Sequence, residues 1–274
     1  MIQNSTVILL LVFFFGAIIG SFLNVVILRY RSGRTLGGRS ACFSCGKHLS
    51  WYELVPIGSF LSQRGKCSGC RTKISWQYPL VEALTGFLFV FLYMHFSYLI
   101  FTTPLLFVIL FVYYATLFSV LIVLCAYDMR HKILPDAFNY GFAALAFIGM
   151  FFIQGDILVL HVPTVEQFLA GIVLPAPFAF LWLISKGKWM GLGDAKLMMG
   201  MGFLLGLSGG ALAILVSFWT GAVFGVILLL GSSLFGDKRI SLKSAIPFGP
   251  FLILSTIVVF LGSLDLSFLR GFFL

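Results

Sequence analysis

The chain has 274 residues, of which 60% are apolar and only 10% are charged. Soluble globular domains have about 45–50% apolar and about 25% charged residues, so this composition excludes a soluble globular protein, a disordered chain and a disulfide-rich miniprotein. The net charge of +9 is often a sign of nucleic-acid binding, but in a membrane protein an excess of Lys and Arg marks the cytoplasmic loops. We therefore expect an all-α polytopic membrane protein that lies in the lipid bilayer and does not bind nucleic acid.

Apolar stretches of about 17–25 residues are long enough to cross a bilayer, and they predict the membrane spans. Clear candidates are residues 7–28, 80–101, 105–127, 137–153, 167–185 and 246–264. The stretch 197–235 is too long for one span, and the sequence Leu-Ser-Gly-Gly at 207–210 interrupts it. We expect two spans there, which makes about eight transmembrane helices in all.

The basic residues predict how these helices are oriented. Nine of the 18 Lys and Arg residues lie in the polar segment 29–77, and with eight spans every basic residue except Arg270 falls on one side of the membrane. Because short loops rich in Lys and Arg stay in the cytoplasm, we expect both termini outside and residues 29–77 in the cytoplasm. No basic region precedes the first span, so we expect this span to be retained as an anchor.

The polar segment 29–77 is small, and domains below about 70–80 residues usually need a disulfide or a metal. It contains two Cys-x-x-Cys pairs, Cys42 with Cys45 and Cys67 with Cys70. Two thiolates from one tight turn can fill two corners of a tetrahedral zinc site. Gly46 follows the first pair and Gly69 lies inside the second, so both turns have a residue that tolerates a positive φ. The alternative is two disulfides, which are rare in the reducing cytoplasm. We therefore expect a structural zinc ion, because four thiolates leave no open position for chemistry.

Three of the nine acidic residues lie at the cytoplasmic ends of predicted spans: Asp128, Asp136 and Asp194. An ionisable side chain at membrane depth is costly and marks a functional site by default. Two carboxylates a few ångströms apart share one proton, so one can activate a water molecule while the other donates a proton to a substrate carbonyl. That is peptide hydrolysis without a metal ion or a covalent intermediate. We expect Gly191 and Gly193 to allow a close backbone approach and an unusual backbone angle at Asp194.

Each of these acids also has a purely structural interpretation. Asp128 could pair with Arg130 or Lys132, Asp136 could cap the fourth span, and Asp194 could cap the sixth. The sequence alone does not show that Asp128 and Asp194 meet in space. An eight-span arrangement does require both to lie on the same face of the membrane.

Several sequence strings occur in an order typical of one family. They are Gly-Ser-Phe-Leu-Asn-Val-Val-Ile-Leu-Arg at 20–29, Arg-Ser-Ala-Cys at 39–42, Leu-Ser-Trp-Tyr-Glu-Leu-Val-Pro at 49–56, Arg-Gly-Lys-Cys at 64–67, Ile-Ser-Trp-Gln-Tyr-Pro-Leu-Val-Glu at 74–82, Asp128, Ile-Leu-Pro-Asp at 133–136, and Gly-Leu-Gly-Asp-Ala-Lys at 191–196. Together they resemble the prepilin peptidases, also called type IV prepilin leader peptidases, which are membrane aspartic proteases. The resemblance covers most of the chain from residue 20 to about residue 200.

The resemblance implies that Asp128 and Asp194 are the catalytic pair, supported by Gly191, Gly193, Lys196 and Asp136. It implies a location in the bacterial inner membrane and a cytoplasmic cut in prepilin or pseudopilin precursors, between a short basic leader ending in Gly and a hydrophobic helix. In many members the new N-terminal amine is then methylated with S-adenosylmethionine, an activity associated with the cytoplasmic loop. The expected division is a first helix 1–28, a zinc-binding loop domain 29–77 and a membrane protease domain 78–274.

Two other classes of protein remain open. A transporter or channel would carry protons or ions on its intramembrane acids, and it predicts acids near the middle of the spans and broken helices at the midplane. The acids here lie at the ends of apolar spans, which favours the peptidase. A scaffold protein that docks a partner through its zinc loop would leave Asp194 replaceable.

Overall fold

A computed structural model describes residues 2–33, 35–154, 157–234 and 246–267. The described residues are mostly helical. The polar segment 30–76 consists largely of turns and loops with two isolated β-bridges, and the chain also has one hairpin of two-residue strands, β1 (Ile153–Gln154) and β2 (Ile157–Leu158). The predicted all-α class is therefore confirmed. The chain divides into two compact units, Met1–Ala126 and Tyr127–Leu274.

The first unit is built on two helices that pack closely. Its elements are α1 (Ile2–Arg29), a 3₁₀ turn (Trp51–Leu54), α2 (Gly58–Ser62), α3 (Gln77–Phe96), α4 (Leu99–Thr102) and most of α5 (Pro104–His131). Gly16 and Gly20 of α1 face α3, and a Cβ atom would lie 2.8 Å from the Phe89 Cβ at Gly16 and 2.8 Å from the Glu82 Cα at Gly20. Small residues four apart let the backbones of membrane helices approach closely, which explains this packing.

A buried carboxylate joins the polar segment to α3. Glu82 is 6% exposed, and its Oε2 accepts a hydrogen bond of 2.7 Å from the backbone N–H of Ile57. Ile57 has a φ of 61°, a conformation that β-branched residues rarely adopt. The same end of α3 is also joined to α1, since Asn24 Nδ2 donates to the Tyr78 carbonyl at 3.1 Å. Glu82 thus serves as an acceptor for the loop backbone.

The second unit is centred on the long helix α9. Its elements are the end of α5, α6 (Asp136–Phe152), the hairpin, α7 (Val165–Val173), α8 (Ala176–Ser185), α9 (Leu192–Leu234) and α10 (Gly249–Leu261). Helices α6, α7 and α10 all pack against α9. Helix α5 ends at His131 because Lys132 adopts a left-handed conformation with φ 55°. The chain then turns directly into α6.

Helix α9 is broken at Gly206, which has φ 69° and ψ −173°. This region of backbone conformation is essentially restricted to glycine. The sequence predicts an interruption at 207–210, and the structure has it one residue earlier. The apolar stretch 197–235 is thus two helical segments with different directions rather than one straight helix.

Five helical segments of the described residues are long and apolar enough to cross a membrane: Thr6–Arg29, Gln77–Phe96, Pro104–His131, Val165–Ser185 and Leu192–Ser232. Two shorter apolar helices, Asp136–Phe152 and Gly249–Leu261, accompany them. These helices confirm a multi-pass membrane protein, but the number of eight spans stays a prediction. The basic residues Lys238, Arg239, Lys243 and Arg270, on which the predicted orientation depends, lie outside the described residues.

Candidate active site and candidate metal centre

Four cysteines of the polar segment form a cluster that could hold a metal ion. The sulfur atoms of Cys42, Cys45, Cys67 and Cys70 all lie within 4.8 Å of one another, and none is in a disulfide. Those of Cys42 and Cys70 are 3.8 Å apart, which is about the separation of two ligands in a tetrahedral site with metal–sulfur bonds of about 2.3 Å. The four cysteines therefore converge as the sequence predicts for a metal site, and none of them is paired in a disulfide.

The first Cys-x-x-Cys pair lies in a tight turn closed by backbone hydrogen bonds. The N–H of Cys42 donates to the Lys47 carbonyl at 2.9 Å, and the N–H of Gly46 donates to the Cys42 carbonyl at 3.0 Å. Gly46 has φ 71°, as the sequence predicts. The turn directs Cys42 and Cys45 toward the same point.

The second pair repeats this pattern with a different residue in the left-handed position. The N–H of Cys67 donates to the Thr72 carbonyl at 2.9 Å, and that of Arg71 donates to the Cys67 carbonyl at 3.0 Å. Here Arg71 has φ 62° and Gly69 is not left-handed, so this turn does not use the tolerance of Gly69 for a positive φ. Arg71 stands four residues after Cys67, as Gly46 does after Cys42, and the fourth position is the one that the turn makes left-handed. Gly69 is instead a site of close approach, since a Cβ there would lie 3.2 Å from the Lys47 Cδ.

A network of polar side chains connects the two turns. Glu53, which is buried, accepts hydrogen bonds from the N–H of Ser50 at 2.9 Å, from Lys47 Nζ at 3.1 Å and from the Ser68 hydroxyl. These donors, the Ser50 N–H first and then Ser68 and Lys47, lower the pKa of Glu53 to about 2. Because Lys47 belongs to the first turn and Ser68 to the second, Glu53 holds the two halves of the cluster together.

Hydrogen bonds shift the pKa of several thiols of the cluster. The backbone N–H groups of Cys45 and Ser44 lower the pKa of Cys42. The pKa of Cys45 is raised to about 11, because the backbone of Lys47 is outweighed by the hydrogen bonds with Cys70 and Cys42 together with burial. The side chain and the backbone of Thr72 form hydrogen bonds with Cys70 that lower the pKa of this thiol to about 6. A thiol with a lowered pKa is more readily the thiolate, which is the form that binds metals.

Asp128 lies in the last turn of α5 and belongs to the second unit. It is 5% exposed, and its Oδ2 accepts a hydrogen bond of 3.1 Å from the backbone N–H of Gly249. Gly249 is the first residue of α10, where backbone N–H groups have no partner within the helix and the helix dipole favours an anion. The carboxylate therefore has a helix N-terminus as its partner.

Asp194 lies in the first turn of α9 and is half-buried. Asp194 directly follows Gly193, and Asp128 accepts its hydrogen bond from Gly249. Leu134 lies beside both positions: a Cβ would be 2.9 Å from the Leu134 Cβ at Gly193 and 3.2 Å from its Cδ2 at Gly249. The end of α5 and the starts of α9 and α10 are thus brought to one place.

The two glycines of the Gly-x-Gly-Asp string have different environments. Gly193 permits the close approach of Leu134, as predicted, but Gly191 is exposed and meets nothing closer than 3.9 Å. Gly191, Gly193 and Asp194 all lack a positive φ, so the expected unusual angle at Asp194 is wrong. Asp194 belongs to a regular first helical turn, which places its side chain without backbone strain.

Asp136 and Lys196 form an ion pair. Lys196 Nζ lies 2.7 Å from Asp136 Oδ1, and the same ammonium lies 5.0 Å from the centre of the Tyr140 ring. Asp136 is the first helical residue of α6, and Pro135 occupies the cap position without a side-chain cap. Asp136 therefore acts on α9 through Lys196 rather than capping its own helix.

Sequence reasoning missed two residues of this region. Gly249 binds Asp128 through its backbone, and the side chain of Asn139, fully buried in α6, donates from Nδ2 to the Gly193 carbonyl at 3.3 Å. A Gly-Pro pair at the start of an apolar span is a recognisable helix start, but it does not indicate what the N–H will bind. An Asn inside an apolar helix is a polar residue at membrane depth, which was the available signal.

Two family models match the chain: the Bacterial Peptidase A24 N-terminal domain over residues 14–96 and the Type IV leader peptidase family over residues 115–226. The cysteine cluster lies within the first match, and Asp128, Asp136 and Asp194 lie within the second. No solved structure matches the chain.

Curated relatives agree with these matches. The Prepilin leader peptidase/N-methyltransferase of Legionella pneumophila is 32% identical over 238 residues, which is 86% of this chain and 77% of that protein. The protein of the same name from Xanthomonas campestris is 31% identical over 92% of this chain and 90% of its own. For the one from Myxococcus xanthus the identity is 31% over 82% of this chain and 64% of its own. The chain therefore belongs to the type IV leader peptidase family.

Proposed function

We propose that this chain is a membrane aspartic endopeptidase that removes the short basic leader from type IV prepilins or pseudopilins. The observation that carries the proposal is the pair of acids at helix ends, Asp128 at the end of α5 and Asp194 at the start of α9, in a chain of this family. The names of the relatives, prepilin leader peptidase/N-methyltransferase, support the choice of substrate.

In the proposed reaction the two carboxyl groups share one proton and work as a pair. The ionised carboxylate takes a proton from a water molecule while the water oxygen attacks the scissile carbonyl, and the protonated carboxyl donates to the carbonyl oxygen. The tetrahedral intermediate then collapses and the C–N bond breaks. The leaving amine takes the proton that the first carboxylate removed from the water, and a hydroxyl of the intermediate returns its proton to the second carboxylate. Gly249 would hold Asp128 in place through its N–H, and Gly193 would let Leu134 pack beside Asp194.

For the cysteine cluster we propose a structural zinc ion. The donor set fits, because four thiol sulfurs within 4.8 Å of one another match a closed tetrahedral site that has no position for a substrate. The ion would join the two turns, with Glu53, Lys47 and Ser68 supporting them from outside. On this proposal residues 29–77 form a metal-bound domain between the first helix, 1–28, and the protease domain, 78–274.

Methylation of the new N-terminus with S-adenosylmethionine is the second proposed activity, and it rests on the relatives' names. The concave surface of the polar segment around Arg64, Lys66 and Arg71 does not fit this cofactor. It has three cations and no carboxylate among its described lining residues, whereas the methyl donor is itself a sulfonium cation.

The proposed topology places both termini outside and residues 29–77 in the cytoplasm, in a bacterial inner membrane. Its support is the nine basic residues of that segment, since short basic loops remain cytoplasmic. The break at Gly206 supports two spans within Leu192–Leu234. Asp128 and Asp194 would then lie at the cytoplasmic face, where a precursor presents the boundary between its charged leader and its apolar helix.

The test uses the purified full chain in detergent with a peptide that has a basic leader, Gly-Phe and an apolar tail, together with S-adenosylmethionine. Mass spectrometry should find a cut after the Gly that is absent with Asp194→Asn, and a methyl group on the new amine if the second activity is present. If a folded, zinc-loaded protein cuts none of a panel of such precursors, the proposed peptidase activity is contradicted. A transporter or a scaffold protein would then be the better interpretation.

A further inference from the structure

The segment 134–139, from the end of the turn after α5 into the first turn of α6, contacts the start of α9 at three points. Leu134 packs on Gly193, Asp136 pairs with Lys196 at 2.7 Å, and Asn139 donates to the Gly193 carbonyl. Two of the three contacts meet Gly193, the residue that immediately precedes Asp194. Packing of α6 on α9 alone would not require polar contacts in this place.

The side chain of Asn139 is the least expected of these contacts. It is 0% exposed, its Nδ2 donates to the Gly193 carbonyl at 3.3 Å, and its Oδ1 is buried with no hydrogen-bond partner among the described residues. Burying an amide with one unpaired oxygen is destabilising, and an apolar residue of similar size would fill the same space without that cost. The amide is therefore explained by its hydrogen bond to the Gly193 carbonyl and not by packing.

The hydrogen bond of Asn139 acts on the peptide unit that joins Gly193 to Asp194. The Gly193 carbonyl and the Asp194 N–H belong to one planar group, so fixing the carbonyl also fixes the direction in which the Asp194 side chain leaves the backbone. Leu134 reaches the same unit at the Gly193 Cα, where a Cβ would clash. The peptide is thus held at two points by neighbouring residues of one segment.

We propose that Asn139 is a positioning residue for Asp194, and that it holds the Gly193–Asp194 peptide in the orientation that sets the distance between the two carboxylates. The inference rests on the proposed catalytic role of Asp194. The Asp136–Lys196 ion pair, two residues further along α9, restrains the same helical turn from its exposed side.

The first test replaces Asn139 by Leu, which keeps the size and removes the donor, and measures kcat, KM and the pH–rate profile for precursor cleavage. A displacement approaching 1 Å can cost about 100-fold, so we expect kcat to fall by about 10- to 100-fold with little change in KM. The difference between the two apparent pKa values of the pH–rate profile should also change, because it depends on the interaction between the two carboxyl groups. Simple loss of folded enzyme would scale the profile without altering its shape.

Thr256→Val is the matched control. Thr256 is also 0% exposed and donates to a backbone carbonyl, that of Leu252 at 2.7 Å, in α10. This variant should keep the wild-type kcat and profile shape. A wild-type kcat for Asn139→Leu, or a lowered kcat with an unchanged profile shape, would overturn the inference. Asp194→Asn separates the proposed function from the positioning role of Asn139. If Asp194→Asn still cleaves, the proposed function fails. If Asp194→Asn is inactive and Asn139→Leu is fully active, only the positioning role is refuted.

A second set of variants keeps the inference testable if Asn139→Leu does not fold. Asp136→Asn and Lys196→Met remove the more exposed ion pair and should each lower kcat by a few-fold and change the profile shape. Because both act on the same turn, the double variant should be no slower than the slower single variant. Full activity in all three would contradict a positioning of Asp194 that depends on how tightly the segment 134–139 restrains the first turn of α9.

Discussion

Gly249→Ala is the substitution that most directly tests how Asp128 is held. A Cβ at residue 249 would lie 2.6 Å from Asp128 Oδ2 and 3.2 Å from Leu134 Cδ2. Ordinary carbon–oxygen contacts begin near 3.4 Å, so the carboxylate would have to retreat by about 0.8 Å. That movement would lengthen the 3.1 Å hydrogen bond from the Gly249 N–H beyond a useful length.

The size of the effect follows from this displacement. A shift near 1 Å in a reacting group can lower the rate by about 100-fold, and overpacking a buried site costs about 1–3 kcal/mol of stability. Gly249→Ala should therefore lower kcat for precursor cleavage by about 10- to 100-fold with a modest decrease in melting temperature. The measurement uses purified protein and a saturating peptide precursor, and the product is quantified by mass spectrometry.

Gly141→Ala is the control for the same chemical change in the same unit. A Cβ at Gly141, in α6, meets nothing within 4 Å, so cleavage and melting temperature should remain at wild-type values or rise slightly. Full activity of Gly249→Ala would refute the reasoning, because it would mean that the contact between Asp128 and the start of α10 does not matter for the reaction.

Three further outcomes are expected. Cys45→Ser should lower the zinc content from about one ion per chain to near zero by elemental analysis, since it removes one of four ligands, whereas Asp194→Asn should keep the ion. Gly206→Ala should cost about 1–3 kcal/mol because alanine does not tolerate that backbone conformation, while Gly231→Ala, with nothing within 4 Å, should not lower the melting temperature. The pKa of Glu53 is lowered to about 2 in the folded chain. Its carboxylate therefore stabilises the loop at pH values above its pKa in the unfolded chain, about 4.3. This stabilisation is lost as the pH falls toward 2. Glu53→Gln should accordingly weaken hydrogen-exchange protection of the two turns at pH 7, and a difference that persisted undiminished below pH 2 would contradict this assignment.

Features that depend on local spacing could be predicted from the sequence. The Cys-x-x-Cys pairs predict two tight turns because their geometry needs only a few consecutive residues, and all four sulfurs do converge. The helical spans follow from runs of apolar residues, and the interruption of α9 follows from small residues near its break at Gly206. In these cases the physical cause lies within a short stretch of chain.

Features that depend on distant contacts could not be predicted. The Gly249 N–H that binds Asp128 is 121 residues away, and nothing near either residue indicates the other. The ion pair of Asp136 with Lys196 joins residues 60 apart, so Asp136 alone suggested a helix cap. Arg71, rather than Gly69, is the left-handed residue of the second turn because the position in the turn, not the nearest glycine, determines the conformation.

The central claim is that Asp128 and Asp194 act as one unit on a single peptide bond. The most direct measurement compares precursor cleavage by the wild-type chain with that by Asp128→Asn, Asp194→Asn and the double variant, all folded and with equal zinc content. Groups that act as a unit have strongly non-additive effects, so each single variant should lose essentially all cleavage and the double variant should be no worse. Substantial cleavage by either single variant would contradict the account.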